Sequence, residues 1–107
     1  MTNFISTGST YWIPDEEIQI LEKNATNGDK NSAFKLYQYH MFVSLDQDLE
    51  FKWLEIAAKN GHPIAQSNLA DLFFTQGNKE KAIFWAKKAY RNGAKLPDEL
   101  KILVNIN

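Results

Sequence analysis

Along the stretch Lys81 to Arg91, the apolar residues Ala82, Trp85, Ala86, Ala89 and Tyr90 fall at i, i+3, i+4, i+7 and i+8. That spacing draws one stripe on a helix, while Lys81, Lys87, Lys88 and Arg91 lie away from it. Trp53, Leu54, Ala57 and Ala58 set out the same stripe one unit earlier, and two partner helices carry Ala33, Tyr37, His40 and Met41, then Ala65, Leu69, Leu72 and Phe73. The units are copies of each other. Ala33, Trp53, Ala57, Lys59, Asn60 and Gly61 recur without a gap as Ala65, Trp85, Ala89, Arg91, Asn92 and Gly93, each pair 32 positions apart. Tyr37 pairs with Leu69, Met41 with Phe73 and Phe42 with Phe74, so apolar size persists where identity does not. Leu21, Ala25, Asn27 and Gly28 precede Leu54, Ala58, Asn60 and Gly61 by 33, which makes the segment before repeat one a half-repeat.

The pattern predicts an all-α chain with helices over about 15–26, 30–42, 47–60, 63–75, 78–92 and 97–105. Asn-Gly pairs close three of them at Gly28, Gly61 and Gly93, where a left-handed backbone suits glycine. Pro14, Pro63 and Pro97 stand at helix starts, with acids following at Asp15, Glu16, Asp98 and Glu99. Alanines alternating with large aromatics let neighbouring helices approach closely and interlock. The expected organisation is one helical-repeat domain over 1–107. It comprises an irregular segment 1–13, a leading half-repeat 14–29, repeat one 30–61, repeat two 62–93 and a C-terminal capping helix 94–107.

The run Ala65-x-x-x-Leu69-Ala70-x-x-Phe73, then Gly77, then Lys81-Ala82-x-x-Trp85-x-x-x-Ala89-x-x-x-Gly93 resembles one Sel-one-like repeat, the alanine-rich relative of the tetratricopeptide repeat. Ala33 to Gly61 is a more degenerate copy, with Gln38 where the family favours a small residue and Glu50 where it favours a packing alanine. The resemblance covers roughly residues 18 to 96 and implies a right-handed α-solenoid of antiparallel helix pairs, whose first helices line a concave, protein-binding face. On that face it would place Lys35, Tyr39, Phe42, Ser67, Asp71 and Phe74. Large aromatics with a few charges are the usual anchors of an interface. The rival use of Phe42 and Phe74 is to cover loops and the next helix. Phe4, Tyr11, Trp12 and Ile13 stand outside the register, free either to lie along the groove or to cap the first helix.

Composition narrows the function. With 107 residues, 44% apolar and 23% charged, the chain suits a single globular domain. It contains no cysteine, which excludes disulfides, thiolate zinc sites and thiol nucleophiles. A net charge of -1 argues against nucleic acid and anionic membranes as partners. No run reaches the roughly eighteen apolar residues of a membrane helix, and Met1 to Ile13 lacks the pattern of a signal peptide, so a cytoplasmic location is expected. Charge is unevenly spread: residues 1–55 carry nine acids and four basic residues, residues 56–107 four acids and eight basic residues. Two solvated faces of opposite sign explain this, as does complementarity to a partner. Lys81, Lys87, Lys88, Arg91 and Lys95 could attract RNA, but only weak binding is expected and nucleic acid is not the expected partner.

No catalytic, metal-binding or cofactor-binding constellation emerges. His40 shares the stripe of Tyr37 and Met41 and reads as a core or half-buried residue; His62, between Gly61 and Pro63, reads as a loop or N-cap residue. Asp46, Asp48 and Glu50 alternate like a calcium loop, but Phe51 and Ala57 occupy its glycine and glutamate positions, leaving a solvated helix start. Trp53 and Trp85, at repeat spacing inside the stripe, are expected in the core. The expectation is a non-catalytic binding module for another protein, monomeric when free. A small chain of about two repeats resembles dedicated inhibitors, among them the immunity proteins that bacteria keep beside toxins. The alternatives are a scaffold or adaptor subunit and an enzyme of the family's disulfide-rich secreted branch, which the absence of cysteine disfavours.

Overall fold

The computed structural model describes residues 8–105, and among them every regular element is a helix. A single turn, α1 (Gly8–Tyr11), precedes α2 (Asp15–Thr26), α3 (Lys30–Phe42), α4 (Gln47–Lys59), α5 (Pro63–Thr75), α6 (Lys79–Arg91) and α7 (Asp98–Leu103). Short turns return each helix from α3 onward to its predecessor, and the pairs α3/α4 and α5/α6 share the broadest contact. The resulting body measures 47 × 32 × 23 Å. No helix among the described residues is long and apolar enough to cross a membrane.

The helix ends follow from local chemistry. Asp29 caps α3 by accepting from the Asn31 and Ser32 amides, and its carboxylate also accepts from the Ser32 hydroxyl at 2.8 Å. These bonds hold its pKa below the ordinary carboxylate value, the Ser32 hydroxyl foremost. Asp46, His62 and Asn78 cap α4, α5 and α6 through side-chain acceptors. Pro14 and Pro97 precede α2 and α7, where their fixed φ suits the entry. Gly28, Gly61 and Gly93 all have positive φ, the left-handed stop that the Asn-Gly pairs predict.

Two expectations shift. The segment expected to be irregular contains the α1 turn, which packs on α3, and α7 is shorter at both ends than 97–105. Alanine dominates the core: Ala25, Ala33, Ala57, Ala58, Ala65 and Ala82 are fully buried beside Leu36, Leu69 and Trp53. Smaller and separate, a second cluster joins Ala70, Ala86 and Ala89 to Leu96 and Leu100. Trp85 is only half-buried between the two clusters and Tyr90 is exposed, contrary to their place in the sequence stripe. The physical reason is α7: six residues cannot cover a helix of thirteen, so the outer side of α6 stays open. There Phe84 meets Trp85 edge-on at 5.1 Å and Lys88 lies over both rings.

Candidate interaction surface

The residues that the repeat register selects on α3 and α5 differ in exposure, and buried Ser67 departs from the expected groove-facing placement. Lys35 and Asp71 are exposed; Tyr39 is half-buried, its ring edge-on to His40 at 5.1 Å. Phe42 remains 49% exposed although the Tyr11 ring stacks on it at 4.5 Å, and Phe74 is 36% exposed. Ser67 is buried. It lines an opening of about 740 Å³ between the start of α5 and the connection Gly93–Pro97, where Ile64 and Lys95 also lie. Asp71 instead faces a different opening, shared with Tyr37 and Glu50. Of the large apolar residues outside the register, Tyr11 covers Phe42, Ile13 is buried in the core and Trp12 is exposed, while Phe4 lies outside the described residues.

Leu45, in the turn between α3 and α4, is a further exposed apolar residue that the sequence reading did not select. It is 72% exposed and its backbone is left-handed, with φ 57°. Such a conformation is strained for a side chain bearing Cβ. Repeat two has Gly77 at the matching position, with φ 82°. Aligning the turns as well as the helices would have exposed the substitution.

Polar groups inside the molecule are tied to packing. Buried Gln66 donates to the Ala58 carbonyl at 3.0 Å and accepts from Asn92 at 2.9 Å, linking the ends of α4 and α6 to α5. Its counterpart in repeat one is Phe34, which stacks on the His62 ring at 4.0 Å. His62 Nδ1 accepts from the Ala65 amide, so that nitrogen belongs to the cap. Burial lowers the His62 pKa and nearby Lys30 lowers it further. His40 is buried, as the stripe predicts, with Nδ1 2.7 Å from the Ser44 hydroxyl and Nε2 without a partner. Its pKa is lowered by burial, against the opposing fields of Asp46 and Glu22. Both histidines thus serve structural contacts. Among the described residues no three His, Asp or Glu side chains are grouped to hold a metal ion.

No protein-family profile matches the chain, and no solved structure does. The chain is similar to the uncharacterized protein YibG of Escherichia coli (strain K12), with 33% identity over 95 residues, covering 82% of this chain and 62% of YibG. It therefore spans less than two thirds of that relative's length.

Proposed function

We propose that the chain is a non-catalytic protein-binding module, a right-handed α-solenoid of Sel-one-like helix pairs, whose concrete role is that of a bacterial immunity protein neutralising a cognate toxin. In this arrangement α3 and α5 are the first helices of successive repeats and run in the same direction. Their C-terminal ends then bring Phe42 and Phe74 to one side of the molecule. The observation that carries the reading is the exposure there of Phe42, Leu45 and Phe74, with Leu45 in a backbone conformation that glycine would adopt more easily. Exposed apolar anchors ringed by charge suit a tight protein interface. Tyr39, packed on His40, supports the helix more than it offers contact area.

Affinity capture with the tagged chain, followed by calorimetry on the captured partner, tests the reading. Phe42→Ala, Leu45→Ala and Phe74→Ala combined should keep the helical signature and weaken the partner by several kcal/mol. Wild-type affinity in that variant would rule out this surface. Co-expression should restore growth to cells making the partner if that partner is a toxin, and continued arrest would remove the immunity role. The adaptor alternative draws on one observation, the greater length of YibG, which leaves room for further interaction elements. A multi-subunit complex around the captured chain, in place of a one-to-one pair, would favour it.

A further inference from the structure

Tyr37 occupies the position that Leu69 holds in repeat two, Glu50 that of Ala82, and Asn68 that of Leu36 in repeat one; the three apolar counterparts are fully buried. Since the same helix pairing is built with leucine or alanine at each point, packing does not demand these polar side chains. Yet all three departures converge on one opening of about 320 Å³ between α4 and α5, together with Leu54, Asp71 and Leu72. A second opening of about 360 Å³ shares Glu50, Leu54 and Leu72 and extends the groove past Phe51. Asn68 Nδ2 donates to the Tyr37 hydroxyl oxygen at 3.3 Å, which turns one end of the amide onto the tyrosine and leaves its carbonyl oxygen for another donor.

The groove offers acceptors and lacks a cation. Neither Lys nor Arg lines either opening. The ion pairs among the described residues join Lys59 to Glu55 and Lys101 to Asp98, so no basic group among the described residues lies within 4.0 Å of Glu50 or Asp71. Leu54 and Leu72 supply apolar walls against which a long aliphatic stem can lie. We infer that this groove receives an arginine or lysine side chain of the partner protein, its cationic head between Glu50 and Asp71 and its stem along Leu54 and Leu72. The inference rests on the protein-binding reading and names the partner's chemistry: a basic side chain projecting beside apolar anchors. Of its two carboxylates, Glu50 belongs to residues 1–55, which carry five more acids than basic residues, and Asp71 is one of the four acids of residues 56–107.

Titration of the full chain with N-acetyl-arginine amide, followed by amide NMR, tests the groove without the partner. Saturable shifts are expected at Glu50, Asp71 and the Asn68 side-chain amide, and none with N-acetyl-citrulline amide, which has the same shape without the charge. Glu50→Ala installs the residue repeat two uses there. It should melt no lower than wild type yet bind the arginine probe about tenfold more weakly. Asp71→Asn, on an exposed carboxylate, provides a second variant with the same expected loss. Equal shifts with citrulline, no shifts with arginine, or wild-type binding by both variants would overturn the inference. Should the probe fail while the Phe42, Leu45 and Phe74 variant still loses its partner, the groove assignment falls alone. Should the probe bind while that variant keeps wild-type affinity, the α3/α5 surface falls and the groove stands.

Discussion

Leu45 and His40 show how single positions depart from the repeat for opposite physical reasons. At Leu45 the strain is in the backbone, and glycine at the matching position of repeat two relieves it. Leu45→Gly should raise stability by about 1 kcal/mol in chemical denaturation while weakening partner capture. A stability unchanged or lowered would mean that the leucine side chain offsets its own strain. At His40 the cost is electrostatic. Burial depresses its pKa below the ordinary histidine value, so the folded state holds the neutral ring where the unfolded chain already takes a proton. Its favourable contribution is therefore fully present above pH 6.5 and is lost as the pH falls through the folded-state value. His40→Leu, the residue repeat two carries as Leu72, should flatten the stability profile over that acid range. Equal pH slopes in the two proteins would remove His40 as the source.

The helices show which parts of a repeat can be read from sequence. Bounds of α2, α3 and α5 coincide with the stripes because each is closed by a capping residue, a proline or an Asn-Gly stop that acts locally. The depth of α6 was not legible in the same way, since burial of Trp85 and Tyr90 depends on how much of their side α7 covers, and period alone does not measure that. Trp53→Ala should accordingly cost about 3 to 5 kcal/mol, and Trp85→Ala clearly less, when thermal unfolding is followed by circular dichroism. Losses of equal size would place Trp85 in the core after all. Glu50 and Ala82 make the same point from the other direction. Glu50 stood out in the sequence as a missing packing alanine, but its convergence with Tyr37 and Asn68 is a property of three helices together. Ala82→Glu should destabilise strongly, because a carboxylate at that fully buried position meets the core and not an open groove.

For the whole molecule, consecutive packing turns sequence order into spatial order, so the acidic residues 1–55 and the basic residues 56–107 occupy different parts of a body 47 Å long. That length exceeds the Debye length of about 8 Å at physiological salt, and an approaching protein therefore meets the two ends separately. The imbalance was legible as a count, whereas its use required the location of the groove, which takes Glu50 from the acidic half and Asp71 from the basic one. A partner carrying the basic side chain that this groove accepts is drawn first to the acidic end and repelled by the lysines of α6. Exposed Asp15, Glu16 and Glu17 form the first turn of α2 and carry three of the charges of the acidic half. Changing these three to Asn, Gln and Gln should slow association several-fold at low salt while leaving dissociation nearly unchanged, and the difference should shrink as salt is added. Stopped-flow mixing with the captured partner over a range of salt concentrations measures this directly. An association rate indifferent to both salt and the three substitutions would mean that the charge asymmetry serves solvation alone.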